Sequence, residues 1–140
     1  MKIKFVYGIF PALVLNIPWL KEWGFSLAFI VLMPTKLSEK EYDRLLKHEL
    51  THVKQFYRTF GLSEILYLVS RNYRWHAEIE AYATGVSVLD ENIMLAQIKH
   101  KTKTITEHYR TNKTLSQTRA ALLQEVIRTN NFKIQGAKYI

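Results

Sequence analysis

The chain has 140 residues, 48% of them hydrophobic and 13% aromatic, with a formal net charge of +8 at pH 7. That length and hydrophobicity call for one packed domain over residues 1–140 and argue against disorder. With no cysteine, and only Asp43 and Asp90 as aspartates, disulfide frameworks, thiol nucleophiles, cysteine-held clusters and EF-hand calcium loops are excluded, so any metal must be held by His, Asp or Glu.

Residues 5–20 are apolar but carry Pro11, Asn16 and Pro18, and Lys21 and Glu22 separate them from the apolar run 25–33. Neither block offers the ~18–20 clean apolar residues of a spanning helix. Lys2 and Lys4 supply a basic start, but no small-x-small cleavage site follows. Both blocks read as buried strands or short helices of the core, with export or membrane contact as the lesser reading. The run 25–33, closed by Pro34, reads as one continuous buried strand. Ser38 and Glu41 form a capping box that opens a helix to about Phe60, with Leu46, Leu50, Val53 and Tyr57 as its buried stripe and Gly61 as its stop. Ser63 is expected to cap a helical stretch over 64–70. A break near Arg71 and Asn72 precedes a second stretch over 75–88. Residues 90–113 are mixed and polar and assign no firm element. Thr114 with Gln117 caps a last helix over 115–128, and the tail after Asn130 has no pattern. The expected class is α+β, mostly helical, with a small sheet from the N-terminal third.

The sharpest signal is His48-Glu49-Leu50-Thr51-His52, an H-E-x-x-H motif. Residues four apart on a helix sit one above the other, so both imidazoles reach a single ion, and neutral imidazole suits Zn²⁺. Glu49 flanks that site without binding the ion. From there it can take a proton from a water on the metal and pass it to a leaving amine. The bland alternative is a solvated helix face. Helix phase argues against it: His48, Glu49 and His52 share a face with Leu45 and Phe56, distinct from the Leu46/Leu50/Val53/Tyr57 stripe. Two apolar faces suggest a helix packed on both sides with its histidines in a cleft.

A catalytic zinc needs a third protein ligand. The best source is the segment Glu78-Ile79-Glu80-Ala81-Tyr82. The two glutamates point about 200° apart, so only one faces the metal. Glu78 shares its face with Ala81 and Gly85, a smooth strip that lets two helices approach closely, and is favoured over Glu80. The losing glutamate is expected to pair with Arg74 or a lysine.

HELTHVKQ followed by EIEAYATG resembles the gluzincin-type zinc metallopeptidases of the zincin-like fold, over about residues 25–88. The resemblance implies a small N-terminal sheet packed on the H-E-x-x-H helix and a following glutamate-bearing helix. It further implies zinc on His48, His52 and Glu78, Glu49 as general base, and the run 25–33 as the edge strand along which an extended peptide or protein substrate lies. The chain departs from the pattern at Tyr82, where many such enzymes carry an aspartate that orients a ligand histidine. Gln55, one turn after His52, is the candidate substitute. Donors for a developing oxyanion are sought among Tyr73, His76, Tyr82, His108 and Tyr109, and Trp19, Trp23 and Trp75 read as core or pocket walls.

The expected function is therefore a zinc-dependent peptidase. Two other classes compete with it. One is a zincin-fold protein that has lost turnover and serves as a binding or structural module. The other is a basic nucleic-acid-binding domain in which the motif is accidental, a reading prompted by the charge balance of +3 in residues 1–88 and +5 in residues 89–140. The lack of cysteine and of a clear targeting segment points to the cytoplasm.

Overall fold

The computed structural model describes residues 1–138, with side chains through Asn130. The N-terminal third forms strands β1 (Lys2–Val6), β2 (Phe10–Ile17), β3 (Phe25–Leu27) and β4 (Ile30–Pro34). They make one sheet of order β1-β2-β4-β3, antiparallel at both ends and parallel between β2 and β4. Left-handed backbone at Tyr7 (φ 51°) and Gly8 (φ 76°) closes the β1–β2 hairpin.

The run 25–33 is not one buried strand. Ala28 takes a left-handed conformation (φ 53°), its N–H donates to the Glu64 carboxylate at 3.0 Å, and the chain folds back as the β3–β4 hairpin. The run hides such a turn, because Ser26 is its one polar residue and Ala28 and Phe29, where the chain reverses, carry no turn signal. Nor are residues 5–20 simply buried: β1 and β2 alternate. Val6, Ala12, Val14, Val31 and Met33 point inwards and are buried, whereas the opposite set is also apolar and lies at the surface. The cross-strand register lines up Ile3, Leu13, Ile30 and Leu27 in one outer row and Leu15, Leu32 and Phe25 in the next.

Five helices follow: α1 (Glu39–Arg58), α2 (Leu62–Val69), α3 (Arg71–Val86), α4 (Glu91–His108) and α5 (Leu115–Lys138). Ser38 caps α1 by accepting the Glu41 N–H, and Thr114 and Gln117 cap α5 reciprocally, as the sequence signals. Ser63 does not cap α2. Gly61 (φ 85°) is the cap, and the Ser63 N–H donates to the Thr59 hydroxyl at 2.8 Å. The break falls at Ser70 rather than at Arg71 and Asn72, because the Ser70 hydroxyl accepts the Tyr73 N–H and starts α3 there. The polar stretch after Asp90 is a full helix. Its buried residues Ile98, Thr102 and Ile105 form a narrow strip that packs on α5 and α3. The last helix continues past Arg128 to Lys138.

The inner face of the sheet packs on Leu45, Leu46 and Val53 of α1, and a second core of Trp75, Ile79, Val86, Ile105, Leu122 and Val126 joins α3, α4 and α5. Helix α1 thus lies between the sheet and α3. The expected second apolar face is not there: Leu45 and Leu46 both join the sheet-side core, and the α1 residues buried against α3 are the polar Arg44, His48 and Gln55. Trp75 is core, its Nε1 donating to Thr118 at 3.1 Å, but Trp19 and Trp23 are exposed in the β2–β3 connection rather than packed. Among the described residues no helix is long and apolar enough to cross a membrane.

Candidate metal centre

Helices α1 and α3 meet closely at one place. A Cβ on Gly85 would stand 3.0 Å from the Arg44 carbonyl and 3.5 Å from the His48 Cβ, so only glycine lets α3 come so near. Two turns earlier on the same strip, Glu78 projects between the two histidines of α1. Its Oε2 lies 3.6 Å from His48 Nε2 and its Oε1 3.4 Å from His52 Nε2, and the two imidazole Nε2 atoms are 3.3 Å apart. The three side chains bring one ligand atom each within 4.8 Å of one another, at a depth where Glu78 is 1% and His48 5% exposed. Burying a carboxylate and two imidazoles without a shared partner is costly.

Burial drives His48 down to about 3, so its ring is neutral. Burial also disfavours charge on His52, but the Glu78 carboxylate, acting by charge and hydrogen bond, more than offsets this and holds it up at about 9. For Glu78, burial raises the pKa, but the nearby imidazoles and the Tyr67 hydroxyl outweigh it and hold the carboxyl down. Without an ion, the cluster is a buried His52–Glu78 ion pair beside a neutral His48.

The ring orientations have separate causes. Gln55, 2% exposed, donates from its Nε2 to the Ala77 carbonyl at 3.1 Å and to Glu80 at 3.0 Å, leaving its Oε1 to accept from His52 Nδ1 at 2.9 Å. That assignment turns the His52 Nε2 towards Glu78. His48 has no such support. Its Nδ1 is buried without a hydrogen-bond partner, and its ring lies against Tyr82 with centroids 4.3 Å apart. His48 thus meets ring packing at Tyr82 in place of a hydrogen bond, and Gln55, the candidate support for His48, accepts from His52 instead.

Glu80 faces away from the cluster, paired with Arg58 (3.1 and 2.8 Å) rather than with Arg74 or a lysine. Arg74 is occupied by the carbonyls of Tyr67, Leu68 and Tyr109. Glu49 is 5% exposed on the wall of a cleft of about 420 Å³ that also takes in His48, His52 and Glu78. Burial raises its carboxyl above the usual range, against the opposing pull of His52 and a hydrogen bond with Ser26. A Cβ on Gly24 would stand 3.1 Å from the Glu49 Cγ, so this glycine makes room for the carboxylate. Of the oxyanion-donor candidates, Tyr73 and Tyr109 line the cleft, Tyr82 is buried beneath it with its hydroxyl 3.2 Å from that of Tyr109, and His76 and His108 are exposed to solvent.

Sequence reasoning missed Tyr67, whose hydroxyl donates to Glu78 and whose ring meets His52 edge-on at 6.0 Å. It comes from α2, and no spacing rule links it to the motif, because the fold-back at Ser70 brings it in. Ser26 and Gly24 were missed for the same reason: they reach the site by strand position.

Compared with protein families, curated proteins and solved structures, the chain matches none of them. The site therefore rests on its own chemistry. Two imidazole nitrogens and a carboxylate are the donor set of a borderline-soft divalent cation, and the Glu78 Oε2, buried without a hydrogen-bond partner, suits a ligand atom.

Proposed function

We propose that this chain is a zinc-dependent peptidase of the gluzincin type on a zincin-like fold. The observation that carries the reading is the buried His48–His52–Glu78 cluster with the Glu49 carboxylate in the same cleft. Zinc held by those three residues would acidify water to near neutrality and polarise a carbonyl.

The residues of the chain supply the rest. Glu49, raised by burial, holds a proton more readily than a solvated carboxylate does. It accepts the proton of the attacking water at a carboxylate oxygen and delivers it to the leaving amine. Ser26 and the space left by Gly24 set where that oxygen stands. The sheet edge beside the cleft is β3, which among the described residues pairs only with β4. An extended substrate adds to β3 by backbone hydrogen bonds, over 25–27 rather than the whole run 25–33. Tyr67 is committed to Glu78, which leaves Tyr73 and Tyr109 as the cleft tyrosines able to donate to a developing oxyanion.

The test is metal content by mass spectrometry on chain purified without a metal-affinity tag, beside His48→Ala, followed by hydrolysis of a mixed peptide library. Near one zinc per chain, lost in His48→Ala, with cleavage that Glu49→Gln lowers about 10²–10⁴-fold without losing zinc, supports the reading. Zinc without any cleavage by the intact chain transfers the site to an inactive binding module, and no zinc after reconstitution overturns it.

A further inference from the structure

We propose that the outer face of the sheet docks on an anionic lipid surface, seating the mouth of the cleft at a bilayer. A sheet of this kind ordinarily keeps its second face polar. Here that face is apolar in every strand: Ile3 and Phe5 from β1, Leu13 from β2, Ile30 from β4, and Phe25 and Leu27 from β3. No helix packs on it among the described residues, since α1 takes the opposite face, and Ile3, Phe5, Phe25 and Leu27 are each about half exposed or more. An uncovered apolar patch that spans a whole sheet marks a contact surface.

The surroundings choose the occupant. The β2–β3 connection beside the sheet carries Trp19, 79% exposed, and Trp23, 61% exposed, with Lys21 between them. Tryptophans with a neighbouring lysine are the side chains that settle at headgroup level, the ring in the interface and the ammonium reaching phosphate. Lys2 and Lys4 alternate with Ile3 and Phe5 on the edge strand, so they leave it on the inner side and reach a headgroup layer around the sheet edge, while Lys36 lies just beyond β4. All three are exposed, and the one acid of residues 1–37 is Glu22, next to Lys21. This margin complements an anionic headgroup layer, and each lysine near such a surface is worth about fivefold in partitioning. A second copy of the chain would bring the same lysines and another +8 against it. Phe25 and Leu27 belong both to the apolar face and to the cleft lining, so docking would present the cleft to whatever lies at the bilayer surface.

The experiment is co-sedimentation with vesicles of phosphatidylcholine containing 30% phosphatidylserine, against pure phosphatidylcholine, with tryptophan emission read in parallel. Binding to the anionic vesicles at least tenfold tighter, with a blue shift and quenching by brominated lipid, is expected. Trp75 is buried in the second core, so the shift reports Trp19 and Trp23. The double variant Phe5→Ser/Leu27→Ser should weaken binding at least tenfold. Lys2→Glu/Lys4→Glu/Lys21→Glu should remove the preference for anionic lipid. The brominated-lipid measurement uses the unaltered chain and so decides even where a variant misfolds. No binding to either vesicle, or a soluble dimer that Phe5→Ser/Leu27→Ser dissociates, overturns the proposal. Hydrolysis is not read, so failure here and failure of the peptidase reading are separate results.

Discussion

Gln55→Leu removes the side-chain oxygen that accepts from His52 Nδ1 and so orients that ring. Leucine has nearly the same volume, so the packing around this 2% exposed position is retained while the polar contacts are lost. Glu80 keeps its two bonds from Arg58, so the principal loss falls on the His52 Nδ1–H, 2.9 Å from the Gln55 oxygen. A buried donor left unpaired costs about 1–3 kcal/mol. Loss of a partner that orients a metal-binding imidazole weakens affinity about 10–100-fold, or about 1.4–2.7 kcal/mol. Competition with a chromophoric chelator at pH 7 reads the zinc affinity, and urea unfolding of the metal-free chain reads the stability loss separately. Gln55→Glu keeps an acceptor for His52 but gives up the donor and sets a second carboxylate beside Glu80. It should therefore hold zinc better than Gln55→Leu and yet unfold more easily than the unaltered chain. A folded Gln55→Leu chain that binds zinc as tightly as the original would refute the assignment. So would equal losses of zinc affinity in the two variants.

Glu78→Ala should reduce zinc retention on dialysis, whereas Glu80→Ala should leave it unchanged and lower stability by about 1 kcal/mol through the partly exposed Arg58 pair; equal zinc loss in both would sink the ligand assignment. Metal uptake should be proton-linked. His52 holds a proton up to about 9 in the metal-free chain, whereas His48 is already neutral and Glu78 already ionised at neutral pH. Each ion bound near pH 7 then displaces about one proton, and affinity climbs about tenfold per pH unit before flattening above pH 9. Calorimetry in two buffers of different ionisation enthalpy counts that proton, and a pH-independent affinity would contradict the raised His52. Gly85→Ala presses a methyl on the Arg44 carbonyl at 3.0 Å. Overpacking at about 1–3 kcal/mol outweighs the helix-propensity gain of about 1 kcal/mol, so thermal unfolding should come earlier and zinc should bind more weakly. A more stable variant would show that α1 and α3 have room to separate.

Much of this site was legible because helices write locally. His48 and His52 fall on one face by the 3.6-residue repeat, the Ser38–Glu41 box marks where their helix starts, and the Glu78–Ala81–Gly85 strip says which side of α3 can approach closely. These are properties of neighbouring residues, so the sequence alone determined an α+β chain, the motif helix and the preferred glutamate. The run 25–33 was misread because alternation is the only mark of a half-buried strand, and an apolar outer face erases it. For the same reason the exposed Trp19 and Trp23 looked like core: hydrophobicity reports what water disfavours, not whether something covers it. The tertiary structure alone decided that Gln55 serves His52 and leaves the His48 Nδ1 unpartnered, that Tyr67 reaches Glu78 from α2, and that Glu80 turns to Arg58. Each of these pairings, apart from the one within α1, joins residues brought together by the packing of separate elements. No local periodicity encodes how one helix is rotated against another.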